Sequence, residues 1–206
     1  MARLQRSKSS SVSLESLHHP VVFVVDMVNG FAREGALADP AILQAAAPIR
    51  KLIEESQAPV WFIRDSHTPD AAEFQSFPVH CLEGSEESMV IDELKDLETA
   101  SHTLYKNCIS AAASPQFASM LESLPEEGAD LIVTGCCTDL CVLQLALPLQ
   151  SWINQTNRKN MRVIVPEDCV ETYHIPDVHD AAKWNETALA MMAASGILIA
   201  GSVEKE

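Results

Sequence analysis

Two groups of side chains in this chain are of the types that do chemistry. The first is a loop bearing Asp65, His67, Glu73 and His80. Carboxylate and imidazole donors of this kind suit a divalent ion, with Zn²⁺ the first expectation and Mn²⁺ or Fe²⁺ as alternatives. Asp65 and His67 are separated by one residue, so on an extended segment they face the same side. The second is the run Gly135-Cys136-Cys137-Thr138-Asp139-Leu140-Cys141, directly after an apolar stretch. Thr138 and Asp139 suit an N-cap, which puts Cys141 at the start of a helix. There the partial positive charge of the terminus lowers a thiol pKa, and free N–H groups can hold an oxyanion. Read separately, the loop is a set of capping histidines and acids, and Cys141 is a small buried hydrophobe. Read together, they propose a metal site beside a cysteine nucleophile.

Two further groups belong with them. Asp26 ends an otherwise apolar run, where a carboxylate is costly to bury unless it has partners or serves as an acid or base. Lys106 follows Leu104-Tyr105; on its own it reads as a solvated lysine, and Asp26 as a turn cap near Asn29 and Gly30. Glu83, Glu86 and Glu87, close to the loop, read as solvated charges.

The elements that must position these residues are short, continuous and β-branched: Val21 to Val25, Val60 to Ile63, Leu131 to Val133, Val163 to Val165 and Ile197 to Ile199. Such runs read as strands buried on both faces. Helical periodicity lies between them, in Pro40 to Glu55 and Asp139 to Ile153. Ser88 to Leu97 reads as an acidic helix, His102 to Tyr105 as a short strand, Pro115 to Leu124 as a helix begun by proline, and Asp177 to Ala194 as a last helix ended by Gly196. The alternation predicts an α/β three-layer sandwich, with a mostly parallel, roughly six-stranded sheet flanked by helices. In such sheets ligands bind beyond the carboxyl ends of the strands, so Asp26, Asp65, Lys106 and the 135–141 run should converge on one edge.

Composition narrows the function. A chain of 206 residues with 47% hydrophobic content fits one globular domain, here residues 20–206 after a flexible N-terminal extension at 1–19. That extension is rich in Arg and Ser, as a transit peptide would be, but lacks the apolar segment of a secretory signal. With 14 basic against 29 acidic residues the formal charge is -15, which repels nucleic acid and anionic lipid. No window approaches the roughly 18 apolar residues of a membrane span. The expected partner is a small neutral or weakly charged molecule, with self-association through apolar helix faces left open. Six cysteines without even spacing fit reduced thiols in the cytoplasm.

Three segments resemble the signature of the isochorismatase-like cysteine hydrolases: Val-Val-Asp-Met-Val-Asn-Gly-Phe (24 to 31), Tyr-Lys-Asn (105 to 107) and Thr-Gly-Cys-Cys-Thr-Asp-Leu-Cys-Val (134 to 142). The likeness runs from about Val21 to Ala200. It implies a catalytic triad of Cys141, Asp26 and Lys106, a cis peptide between Cys136 and Cys137, and an oxyanion hole from the N–H groups of Cys137 and Cys141. Within the family, Asp65-Ser66-His67, Glu73 and His80-Cys81 resemble the metal loop of nicotinamidases, with glutamate where many have histidine. The resemblance also suggests that Phe31 and Phe77 flank a flat substrate ring. It therefore implies hydrolysis of nicotinamide to nicotinic acid and ammonia through a cysteine thioester, with the metal orienting the ring. Two alternatives remain: a metal-independent amidase of this fold acting on a carbamoyl or ureido compound, and a non-catalytic zinc-binding protein using the ligand loop together with Cys136, Cys137 and Cys141.

Overall fold

The apolar runs place themselves at the centre of a parallel sheet because both of their faces need burial. In the computed structural model, which describes residues 10–205, the strands in chain order are β1 (Val12–Ser13), β2 (Val21–Val25), β3 (Val60–Asp65), β4 (Thr103–Lys106), β5 (Asp130–Cys136), β6 (Arg162–Pro166), β7 (Val170–Glu171), β8 (Leu198–Ala200) and β9 (Val203–Glu204). The α-helices are α1 (Asn29–Ala32), α2 (Ala46–Ser56), α3 (Phe117–Glu122), α4 (Leu143–Gln155) and α5 (Ala181–Ala194). The main sheet runs β4-β3-β2-β5-β6-β8, every pair parallel, with β7 continuing beside the end of β5.

Strand alternation divides the core into two layers. Val21, Phe23 and Val25 face one side with Leu145 and Leu149 of α4 and Leu189 and Met192 of α5. Val22 and Val24 face the other with Ile49, Leu52 and Ile53 of α2. The result is the expected three-layer α/β sandwich, with a seventh strand, β7, too short to leave a periodic signal. Strand order reverses between β2 and β5: β3 and β4 extend to one side, β6 and β8 to the other. A crevice opens at such a switch point, and Asp26 and Cys136 stand at its two lips.

Closing the sheet there requires a glycine. Gly135 has φ +108°, and a Cβ on it would sit 2.0 Å from the Val25 carbonyl oxygen. Pro148 inside α4 cannot donate to the Gln144 carbonyl; the Ser110 hydroxyl donates to that oxygen instead, at 3.2 Å.

Three local expectations change. Ser88 to Leu97 is no helix: it holds two 3₁₀ turns, Glu86–Ser88 and Lys95–Leu97, because Val90 bridges Val28 and Ile91 N–H bonds the Met27 carbonyl. Its buried Ile91 and Leu94 share a spacing that turns and helices have in common. The 139–153 helix begins as a π-turn over Thr138–Val142 before continuing as α4. The N-terminal extension is not flexible throughout: β1 pairs in parallel with β9, and Val12, Leu14 and Leu17 pack on the core. The rest of it, residues 1–9, lies outside the described residues.

Candidate active site and metal centre

Asp26, the first residue after β2, adopts the left-handed region at φ 48°, which turns its carboxylate into the crevice. It does not cap the following turn. Its Oδ1 accepts the Asp65 N–H at 2.8 Å, and its Oδ2 lies 2.7 Å from Lys106 Nζ. Lys106 ends β4 and is 2% exposed, so the solvated reading of this lysine does not hold. Its ammonium also contacts Asp65 Oδ1 and donates to Cys141 Sγ at 3.7 Å. Carboxylate oxygens of Asp26 and Asp65 and the Cys141 sulfur all lie within 4.8 Å of one another. Those three have ligand-type atoms, but the Lys106 cation fills the space between them.

Burial decides the protonation of this cluster. The Asp26 carboxyl is raised to about 6 by burial and then by the Asp65 charge, against the opposing Lys106. Burial also opposes ionisation of Asp65, yet Lys106 and the two imidazoles outweigh it and hold that carboxyl below the usual range. Lys106 is held well above its ordinary value, because Asp26 and Asp65 outweigh the cost of burying its charge. Cys141 departs from expectation: burial pushes its thiol well up, Asp26 and Asp65 add to the rise, and Lys106 offsets only part. The thiol thus has beside it a carboxylate whose own pKa is raised. The peptide between Cys136 and Cys137 is cis, as the resemblance implied.

The other carboxylate oxygen of Asp65 faces the loop. Asp65 Oδ2 is 3.6 Å from His67 Nε2 and 3.7 Å from His80 Nε2, and Glu73 Oε1 is 3.9 Å from each. The far nitrogens are anchored: His67 Nδ1 lies 3.2 Å from Asn107 Oδ1, and His80 Nδ1 lies 2.8 Å from the Pro78 carbonyl. Glu73 is held by its second oxygen, which accepts the Ile109 N–H at 2.9 Å. Both rings thus direct Nε2 at the same point as two carboxylate oxygens, and buried His67 Nε2 has no hydrogen-bond partner. Outer hydrogen bonds that fix ring orientation while the inner nitrogens converge are the arrangement a divalent metal requires. Asp65, His67 and His80 form a ligand cluster that fits the group, and Glu73 stands at its edge, 3.9 Å from each imidazole. Of the three cysteines in the zinc-binding alternative, Cys141 alone joins a ligand-type cluster among the described residues, and Lys106 lies within that cluster.

Glu87 gave no distinguishing signal in the sequence. Its carboxylate accepts the Cys81 N–H at 2.9 Å, beside a Cys81 backbone in the left-handed region at φ 43°. His67 and Glu83 complete the brace: His67 N–H bonds the Cys81 carbonyl and Glu83 N–H bonds the His67 carbonyl, both at 2.9 Å. These bonds hold the residue next to His80. Only the acidic run marked Glu87 in the sequence, and nothing in that run shows which member turns inward.

A cavity of about 480 Å³ opens over both clusters. Cys141, Cys137, Asp65, Glu73, His80, Phe31 and Phe77 are in its wall, with Leu37, Ile109, Leu140 and Tyr173. Asp26, Lys106 and His67 lie fully buried behind it. Phe31 and Phe77 flank His80, with ring centroids at 5.7 and 6.4 Å. The four additional apolar or aromatic wall residues do not stand out in the sequence, because their spacing is that of ordinary core.

Residues 20–198 match the model of the isochorismatase domain. The chain belongs to the isochorismatase family of hydrolases. A curated family relative, nicotinamidase 1 of Arabidopsis thaliana, is 28% identical over a match that covers 73% of this chain and 65% of that protein, so the chain spans about two thirds of that relative's length. Among solved structures, N-carbamoylsarcosine amidase from Thermoplasma acidophilum is 27% identical with a TM-score of 0.66, covering 89% of this chain and 96% of that one. A nicotinamidase from Bacillus subtilis is 25% identical with a TM-score of 0.68, covering 89% and 99%. No helix among the described residues is long and apolar enough to cross a membrane.

Proposed function

We propose that this isochorismatase-family chain is a cysteine amidohydrolase of the nicotinamidase type, converting nicotinamide to nicotinic acid and ammonia. One observation carries the reading: Asp65 is shared, one oxygen on the Lys106 side of the Cys141 cluster and the other on the imidazole set, at the wall of a cavity that also presents Phe31 and Phe77. A carbamoyl hydrolase needs only the first half of that arrangement. A divalent ion, zinc being our choice, held by Asp65, His67, Glu73 and His80, supplies a Lewis-acid anchor for a ring nitrogen and so fixes orientation.

The chain's own residues account for the bond changes. Asp26 takes the proton from Cys141 Sγ, and the sulfur attacks the carboxamide carbon, with Lys106 offsetting the negative charge carried by the cluster. The N–H groups of Cys137 and Cys141 are assigned to the oxyanion of the tetrahedral adduct. Collapse breaks the carbon–nitrogen bond as Asp26 returns its proton to the leaving nitrogen, releasing ammonia and leaving a thioester. Water then loses a proton to Asp26 and attacks the thioester carbon, and carboxylic acid departs as the thiol is restored. Phe31 and Phe77 confine the ring and exclude water from its faces. A cytoplasmic setting agrees with six unpaired cysteines.

Ammonia release from nicotinamide by metal-loaded protein is the direct test, and Cys141→Ala should reduce it by about 10⁴-fold or more. Equal release from the variant rejects the nucleophile. Chelation should raise KM for nicotinamide, and unchanged turnover and KM after metal removal reject the orienting role. A second reading is favoured by the similarity to the carbamoylsarcosine amidase: ammonia from carbamoyl or ureido compounds, with none from nicotinamide, would establish it instead.

A further inference from the structure

A separate polar cluster joins the turn that carries the nucleophile to the segment between β7 and α5. Asp139, two residues before Cys141, accepts the Thr172 hydroxyl at 2.5 Å through Oδ1, and its Oδ2 lies 2.8 Å from His179 Nε2. The other ring nitrogen, His179 Nδ1, is 2.8 Å from the Tyr173 carbonyl oxygen. Both ring nitrogens therefore face hydrogen-bond acceptors, one a carboxylate and the other a carbonyl. It is also held face-on from two sides, by Tyr173 at 3.9 Å and an interplanar angle of 14°, and by Trp184 of α5 at 5.2 Å and 4°. Its backbone closes the same segment, exchanging hydrogen bonds of 2.8 and 2.9 Å with Ile175.

His179 is buried and does not reach the cavity, whereas Tyr173, His174 and Ile175 are part of the cavity wall. We propose that His179 is a positioning residue: through Asp139 it locks the Tyr173–Ile175 wall to the turn bearing Cys141, and so sets which substrates lie correctly against the thiol. The assignment rests on the cysteine-amidohydrolase reading of the site. Residues 172–180 run between β7 and α5 without helix or regular strand, and such a connection moves unless it is tied down. A wall that drifts relative to the sulfur loses orientation of the bound amide but leaves Asp26, Lys106 and the thiol where they are. The signature is therefore a weakened hold on a ring-bearing amide with little change in the chemical step.

His179→Phe is the decisive variant, because it keeps a flat ring between Tyr173 and Trp184 and removes both ring nitrogens. His179→Gln keeps one donor toward Asp139, and Thr172→Val removes the second donor to that carboxylate. Metal-loaded, full-length proteins are compared in two assays: ammonia release from nicotinamide, and alkylation at Cys141 by iodoacetamide and by its bulkier N-benzyl derivative, with the modified peptide measured by mass. For His179→Phe, KM should rise about tenfold with kcat within about threefold, and the ratio of small to bulky alkylation rates should move by about threefold or more. His179→Gln should recover part of both changes. Unchanged KM and an unchanged alkylation ratio in a folded His179→Phe overturn the proposal. If that variant does not fold, unchanged KM and alkylation ratio in both His179→Gln and Thr172→Val overturn it instead. If the parent protein releases no ammonia from nicotinamide, the substrate reading fails separately, and the alkylation ratio still decides the role of His179.

Discussion

The nucleophile cluster and the metal loop meet at one carboxylate but are held in place by opposite means. Asp26, Asp65 and Lys106 stand at the ends of adjacent parallel strands, where the ladder fixes each Cα to its neighbour; Asp65 pairs directly with Lys106 in the β3–β4 register. Their charges answer one another within the cluster, two carboxylates around one ammonium. His67, Glu73 and His80 sit instead on a path of short turns, each steered by one outer hydrogen bond to Asn107, Ile109 or Pro78. Their inner atoms converge with the second oxygen of Asp65, and His67 Nε2 has no hydrogen-bond partner there. The first region carries its cation within the chain, whereas the second has a donor set that a divalent cation would complete.

Breaking the complete region should cost most. Lys106→Met leaves two buried carboxylates facing each other, and urea denaturation should register a loss of about 3–5 kcal/mol, together with loss of amide hydrolysis. The loop tolerates truncation better: metal-free His80→Ala should unfold near the parent midpoint, because Asp65 keeps Lys106 as its ion-pair partner when that imidazole is gone. A comparable loss in both variants would erase the distinction between the regions.

Asp65→Asn strikes the junction. Metal affinity, read by calorimetric titration, and kcat/KM should both fall by about 10²-fold, since one side chain serves both halves. A variant that binds metal normally while losing activity would show that the two clusters only adjoin. The finest cut is Glu87→Gln, which touches no substrate and no ligand atom. It weakens the brace on Cys81, and metal affinity should fall about tenfold, at the low end for outer-sphere changes, with the alkylation rate of Cys141 unchanged.

The two regions are unequally legible in the sequence for the same physical reason. Strand-end residues become legible together: Asp26 or Lys106 alone reads as a cap or a solvated lysine, but each follows a strand, and parallel strand ends share one edge. All three signature residues of the nucleophile cluster meet where the alternation of strands and helices said they would. The loop ligands are recognisable by type, but what aims them is not: the Asn107 and Glu87 side chains and the Pro78 carbonyl reach them, or the adjoining Cys81, along irregular backbone that has no periodicity. For Cys141, helix-terminus reasoning points to a lowered pKa, whereas burial pushes the thiol up, with Asp26 and Asp65 adding to the rise and Lys106 opposing it, and these neighbours come from other strands. The acidic stretch 88–97 mimics a helix because buried Ile91 and Leu94 recur at a spacing that a pair of turns also satisfies.

Pro148 looks like a flaw in α4, yet the bond it withholds has been put to use. The Gln144 oxygen it leaves open receives the Ser110 hydroxyl, and the neighbouring Ile109 amide grips Glu73. A helix irregularity on one side of the sheet thereby acts as a peg for the strap that carries part of the pocket and steadies one arm of the metal cradle. Replacing that imino acid with alanine would mend the helix and set a new N–H in competition for the peg, so the gain in regularity would come with a looser strap.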